Sequence, residues 1–158
     1  MSVLEKSATV DQIAAASGNR FAELEQSIRE ALVTYSNVHR GTGQDSMVST
    51  ELFEHAREIV LEYLGLDAQK YTIIFCSPHR AEILTQLLGP GRFRVLSSED
   101  FHLPLGIRAV AAEKRSLPSG VPFQTGGGTV KIVSPDSVLW ADAPDKFEAG
   151  TPMIINAI

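Results

Sequence analysis

The chain has 158 residues, one domain's worth, and its 44% apolar and 21% charged side chains suffice for a buried core. A net charge of -5 with a pI near 5.3 excludes the clustered basic face of a nucleic-acid binder, and no apolar run approaches the roughly 20 residues of a membrane span. One cysteine excludes an internal disulfide, and Met1-Ser2-Val3-Leu4-Glu5-Lys6 has no apolar core of signal-peptide length, so a cytoplasmic protein without nucleic-acid or membrane partners is expected.

The first 18 residues read as an arm carrying a short helix, and residues 19–158 as a single domain. Thr9-Val10-Asp11-Gln12 has the pattern of a capping box, and Gly18 predicts the stop of the helix it would begin. Asn19 then caps a second helix, where Phe21, Leu24, Ile28, Leu32 and Tyr35 form one apolar face and Glu25 can pair with Arg29. Asn37 to Ser49 reads as a polar loop. Thr50 predicts the cap of a third helix, buried through Leu52, Phe53, Ala56, Ile59, Val60, Tyr63 and Leu64 and ended by Gly65.

Tyr71-Thr72-Ile73-Ile74-Phe75-Cys76 is a β-rich apolar run, predicted as a buried strand. Ser77 and Pro78 suit the cap and first residue of a helix that buries Ala81, Leu84, Leu87 and Leu88 and stops at Gly89-Pro90. Phe93 to Leu96 follows as a second strand. This order predicts a right-handed strand-helix-strand unit with a parallel pair. Leu105 to Glu113 is open between helix and strand. Ser116 to Gly128 is a Pro/Gly-rich connection. Val130 to Val133 and Val138 to Trp140 flank the turn signal Ser134-Pro135-Asp136-Ser137, and Met153 to Ile158 is an apolar tail with the look of a helix start.

Two features invite chemistry directly. Ser77 follows a strand and opens a helix, where free N–H groups can hold an anion, although Pro78 withholds one donor. Cys76 precedes the same helix, but a phosphatase-type loop needs arginine six positions on. Glu82 stands there, so Cys76 reads as a small residue closing a strand.

Three further stretches carry a family resemblance. They are Asn37-Val38-His39-Arg40-Gly41, Gln124-Thr125-Gly126-Gly127-Gly128-Thr129-Val130, and Lys146-Phe147-Glu148-Ala149-Gly150-Thr151-Pro152. In order and spacing they resemble the class V aminotransferases, the cysteine-desulfurase-like enzymes that use pyridoxal phosphate. The resemblance implies a cofactor site that includes Ser77, His102, Gly126, Gly127 and Thr151, with His102 stacking on the pyridine ring. Asn37, His39 and Arg40 would lie on the substrate side. A second alignment places Leu103 to Ile107 beyond the cofactor lysine and leaves His102 without that role.

Pyridoxal-phosphate chemistry also needs a Schiff-base lysine and a carboxylate on the pyridine nitrogen. In the family both precede the glycine run in a long central segment, whereas about two dozen residues separate His102 from Gly126 here. None of the five lysines, Lys6, Lys70, Lys114, Lys131 and Lys146, stands in the family's lysine context. No residue is singled out as catalytic or as a metal ligand.

The expected fold is α/β: a reduced, three-layer version of the large domain of a pyridoxal-phosphate-dependent transferase, with a small, mixed or mostly parallel sheet. The expected function is that of a class V aminotransferase-like domain, by resemblance a transferase or desulfurase on an amino acid, inactive as this chain alone. The alternative is a non-catalytic interaction or anion-binding domain. A shortened sheet exposes an apolar edge, so a homodimer or docking to another domain is expected.

Overall fold

The computed structural model describes residues 10–33, 43–103 and 105–150, with the helix backbone alone over 10–21. Helix α1 spans Val10–Val33 without a break. The expected stop at Gly18 is not used, because one interior glycine costs a helix only about 1 kcal/mol. Its described apolar face differs from the expected one in one respect. Leu24 and Ile28 are half-buried and Ala31 is buried, but Leu32 is 55% exposed. Each i,i+4 step drifts about 40° around a helix, so Leu32 stands about 80° from Leu24, whereas Ala31 stands nearly in line with it. The Glu25–Arg29 pair forms as expected, at 2.6 Å.

Helix α2 spans Gln44–Tyr63 with Gly43 as N-cap. Thr50 therefore lies inside the helix rather than capping it, and its hydroxyl donates to the Ser46 carbonyl at 2.8 Å. The buried stripe is Ser46, Ser49, Phe53, Ala56, Arg57 and Leu61. Ile59 and Tyr63 are exposed, contrary to the pattern of apolar residues, and a buried arginine takes a place on the core side. Gly65, at φ 62°, turns the chain out of the helix.

Strand β1 is Tyr71–Cys76, helix α3 Pro78–Leu88, strand β2 Phe93–Ser97 and strand β3 Arg108–Glu113. Ser77 caps α3 and Pro78 occupies its first turn, as read from the sequence. Of the open segment 105–113, Arg108–Glu113 is strand. The sheet order is β1-β3-β2, and β3 pairs antiparallel with both neighbours. So β1 and β2 run in the same direction, linked by α3, but they are not bonded to each other. The expected mixed or mostly parallel sheet is corrected to one whose bonded pairs are all antiparallel. A gap left between the two strands of the crossover is filled by a later strand entering from the opposite end.

Three layers result. Phe53, Ala56 and Leu61 of α2 pack with Ile73, Phe75, Ala109 and Ala111 on one sheet face. Ala81, Leu84 and Leu88 of α3 pack with Ile74, Cys76, Val110, Ala112 and Phe147 on the other. Three alanines in the central strand let both helices approach closely. Strands β4 (Val130–Ser134) and β5 (Ser137–Trp140) form a separate hairpin, bulged between Val130 and Ile132. No described helix is long and apolar enough to cross a membrane.

Candidate functional site

The antiparallel register sets what meets at one end of the sheet. Cys76 and Ser97 both pair with Arg108, so the loops after β1 and β2 emerge at the same end of the sheet, on either side of β3. Ser77 lies in the first loop and His102 in the second. The Ser77 hydroxyl accepts from the Arg80 N–H at 3.4 Å and serves as an ordinary helix cap. His102 is exposed, at φ 61°, where it closes the 3-10 turn Ser98–Phe101. Beside it, Arg108 is ion-paired with Glu99.

The glycine run and the Lys146–Gly150 stretch come together at that same end. Gly150 N–H donates to the Gly127 carbonyl at 2.9 Å. A Cβ on Gly126 would stand 3.4 Å from the Ala149 Cβ, so a close approach of two chains is what glycine permits here. Thr129, fully buried, locks the turn: its hydroxyl donates to the Gly126 carbonyl at 2.7 Å and accepts from the Gly126 N–H at 3.1 Å. Gly128 and Gly150 take φ of 90° and 100°, conformations that side chains rarely adopt. Arg80 adds the third side, donating to the Ala149 carbonyl at 2.8 Å. The structure thus brings the Ser77 turn, Gly126, Gly127 and Gly150 into one cluster. Thr151, and the substrate-side candidates Asn37, His39 and Arg40, lie outside the described residues.

The group that ties this cluster to the core was missing from the sequence reading. Glu148 is buried and accepts from Arg57 twice, at 2.8 Å each, and from the Phe75 N–H at 2.6 Å. Arg57 also donates to the Ile73 carbonyl and to Glu54, and its guanidinium lies 4.8 Å from the Phe53 ring centroid and 5.5 Å from that of Phe75. Burial opposes the arginine's charge, but the Glu148 and Glu54 carboxylates together outweigh it and hold the guanidinium above its ordinary value. Burial likewise pushes the Glu148 carboxyl up, while its three donors pull the other way. With both oxygens bonded at charge-assisted distances, we take the pair as ionised. A sequence signal existed: Arg57 lies four residues after Phe53 and one after Ala56, on the helix's apolar stripe.

Cys76 is buried, and desolvation, followed by the nearby Glu148 charge, pushes its thiol up to about 12. This supports its reading as a core residue. The native thiol is expected to resist iodoacetamide at about pH 8, where an unfolded thiol, with its pKa near 8.5, reacts. The sign for stability follows. A thiol whose pKa is raised on folding contributes stability below the unfolded value, and loses it as pH climbs from about 8.5 toward 12. Denaturation midpoints of the native chain should fall over that window more steeply than those of Cys76→Ala.

A pyridoxal-phosphate fit can be tested on these residues. Lys70 faces Glu113 at 3.6 Å and the Tyr71 ring at 5.2 Å. Lys114 donates to the Ala68 carbonyl at 2.7 Å, and Lys131 is paired with Asp142. Lys146 is buried and donates to the carbonyls of Pro118 and Ser119, at 3.2 and 2.7 Å. Lys70 and Lys114 lie at the end of the sheet opposite Ser77 and His102. Of the two buried carboxylates among the described residues, Glu148 is engaged by Arg57 and Phe75, and Glu113, at the opposite end of the sheet, is paired with Arg115. The pocket of about 220 Å³ beside the β2 loop is walled mainly by apolar side chains, among them Ile59, Phe75, Phe101, Leu103 and Ile107. The described lysines do not fit a Schiff-base role beside the cluster, since the partners they bond are Ala68, Glu113, Pro118, Ser119 and Asp142.

The fold is that of the pyridoxal-phosphate-dependent transferase large domain, reduced. A cysteine desulfurase from Thermococcus onnurineus NA1, in its apo form, superposes with a TM-score of 0.63 at 16% identity, over 85% of this chain and 61% of its own. The Escherichia coli cysteine desulfurase CsdA, with its S-sulfonic acid, gives 0.56 at 17% identity, over 85% and 62%. Over residues 92–158 the chain matches the family model "Aminotransferase class-V", which bears out the resemblance for the glycine run and the Lys146–Pro152 stretch; Asn37–Gly41 and Ser77 lie outside the matched residues. Probable cysteine desulfurases of Staphylococcus aureus strain N315 and Staphylococcus epidermidis strain RP62A are each 42% identical over 55 residues, 35% of this chain. The match spans only 13% of the length of those relatives.

Proposed function

We propose that this chain is a class V aminotransferase-like domain, of the cysteine-desulfurase kind, that does not build a Schiff-base centre from its own residues. The observation that carries the reading is the placement of the lysines. All four described ones are held by carbonyls or carboxylates, and the partners that hold them are Ala68, Glu113, Pro118, Ser119 and Asp142 rather than Ser77, Gly126 or Gly127. The activity that the likeness implies, pyridoxal-phosphate-dependent transfer or desulfuration on an amino acid, would draw its lysine from residues outside these or from a second polypeptide.

A second reading, as an interaction domain, is favoured by the hairpin. Ile132, Val133, Val138 and Leu139 are all exposed on two strands that have no third neighbour among the described residues. A lone two-stranded ribbon is marginal in water, so such side chains suit a docking element. The single, buried Cys76 supports the cytoplasmic setting.

Titration with pyridoxal phosphate tests the first reading. The expected result is no absorbance band at about 420 nm and no lysine trapped by borohydride. A band that borohydride abolishes, with the label on one lysine of this chain, overturns the proposal.

A further inference from the structure

The strand register also decides what meets at the other end of the sheet. Tyr71 pairs with Glu113 and Phe93 with Ala112, so Lys70 and Arg92, the residues before β1 and β2, flank the end of β3. Two backbone bonds hold them there: the Lys114 N–H donates to the Lys70 carbonyl and the Glu113 N–H to the Arg92 carbonyl, both at 2.9 Å. Lys114 and Arg115 follow β3 directly, in the 3-10 turn Lys114–Ser116. Cations that are scattered along the sequence thus gather at one place.

Three of them converge on one carboxylate. Glu113, with its side chain 6% exposed, faces Lys70 Nζ at 3.6 Å, Arg92 Nη1 at 3.8 Å and Arg115 Nη2 at 2.7 Å. Among the described residues, no other carboxylate stands within ion-pair distance of these three. One negative charge therefore meets three positive ones, which leaves an excess of two. The cationic side chains are 51, 53 and 76% exposed, so the side of the cluster away from Glu113 is open to water. Donors remain on that side. Arg92 spends Nη1 on the Ser116 hydroxyl, at 3.0 Å, and Arg115 spends Nη2 on Glu113. A guanidinium carries five N–H donors, so each keeps several. Glu113 demonstrates that the three groups can converge on an oxyanion, but it fills only the buried side.

We propose that this end of the sheet binds a compact phosphate-bearing anion, held by Arg115, Arg92 and Lys70 on the side opposite Glu113. A guanidinium fork matches two phosphate oxygens, and the lysine adds a point charge. The excess of two charges balances a phosphate dianion. A few cations around one point do not make the long basic face that a nucleic acid needs, and the chain's net charge of -5 repels an extended polyanion. The site depends on neither reading above. It lies at the opposite end of the sheet from Ser77 and His102, so the outcome of the cofactor titration leaves it standing or falling on its own.

Isothermal titration with pyrophosphate at constant ionic strength is the test. The native chain should bind it saturably, and sodium chloride at matched ionic strength should not reproduce the heat. Arg115→Gln, at the most exposed of the three cations, should weaken binding about tenfold. Lys131→Gln, which removes a cation paired with Asp142 on the hairpin, is the control and should leave binding unchanged. Circular dichroism checks that each variant is folded. Vesicles of equal parts phosphatidylcholine and phosphatidic acid separate two sources of the same chemistry. Pelleting of the chain with them, reversed by pyrophosphate, assigns a lipid headgroup; pyrophosphate binding without pelleting assigns a soluble anion, and either upholds the site. The proposal is overturned if the native chain shows no saturable pyrophosphate binding, or if Arg115→Gln loses no more affinity than Lys131→Gln.

Discussion

Glu148→Ala is expected to destabilise the fold by roughly 3–5 kcal/mol, the cost of stranding a buried charge. Domains of this kind have a total stability of about 5–15 kcal/mol, so the variant would approach the edge of folding. The physical reason lies in what remains. Arg57 would keep its guanidinium below the sheet, bonded to the Ile73 carbonyl and Glu54 but without the carboxylate that balances it. The Phe75 N–H would also lose its acceptor. Urea denaturation measures the loss. The double variant Arg57→Leu with Glu148→Leu should lose clearly less than the sum of the single changes, because neither charge is then left alone. A loss under about 1 kcal/mol for Glu148→Ala would mean that water reaches the pair, and that the buried tie between α2, β1 and the Gly150 turn is not what holds them together.

The second large effect is expected at Phe53. Its ring is fully buried, meets Phe75 edge-on with centroids 5.2 Å apart, and underlies the Arg57 guanidinium. Phe53→Ala should cost about 3–5 kcal/mol, part from lost transfer and part from the cavity left between α2 and the sheet. Phe53→Leu should cost markedly less, since it refills most of that volume. The comparison separates packing from charge. If Phe53→Ala also removes the coupling between Arg57 and Glu148, the aromatic floor positions the guanidinium. If the coupling survives, the pair orients itself through its own bidentate bonds. The two predictions share contacts, so their costs are not expected to add.

Much of the local structure was determined by sequence alone. Strand β1, the Ser77-Pro78 start of α3, the stop at Gly89 and the hairpin around Ser134–Ser137 follow from apolar runs, caps and turn residues, signals carried within a few positions of each residue. The glycine run and the Lys146–Pro152 stretch were legible as a family pattern, but that Gly150 donates to the Gly127 carbonyl was not. Tertiary structure decided three other things. It placed β3 between β1 and β2, a choice made by pairing between residues far apart in the chain, which no local period encodes. It buried Arg57, because the carboxylate that makes such burial affordable lies 91 residues away. It also turned Arg94 onto a helix end, and set Glu148 of the Lys146–Gly150 stretch against β1 rather than β2, a choice made by contacts far apart in the chain.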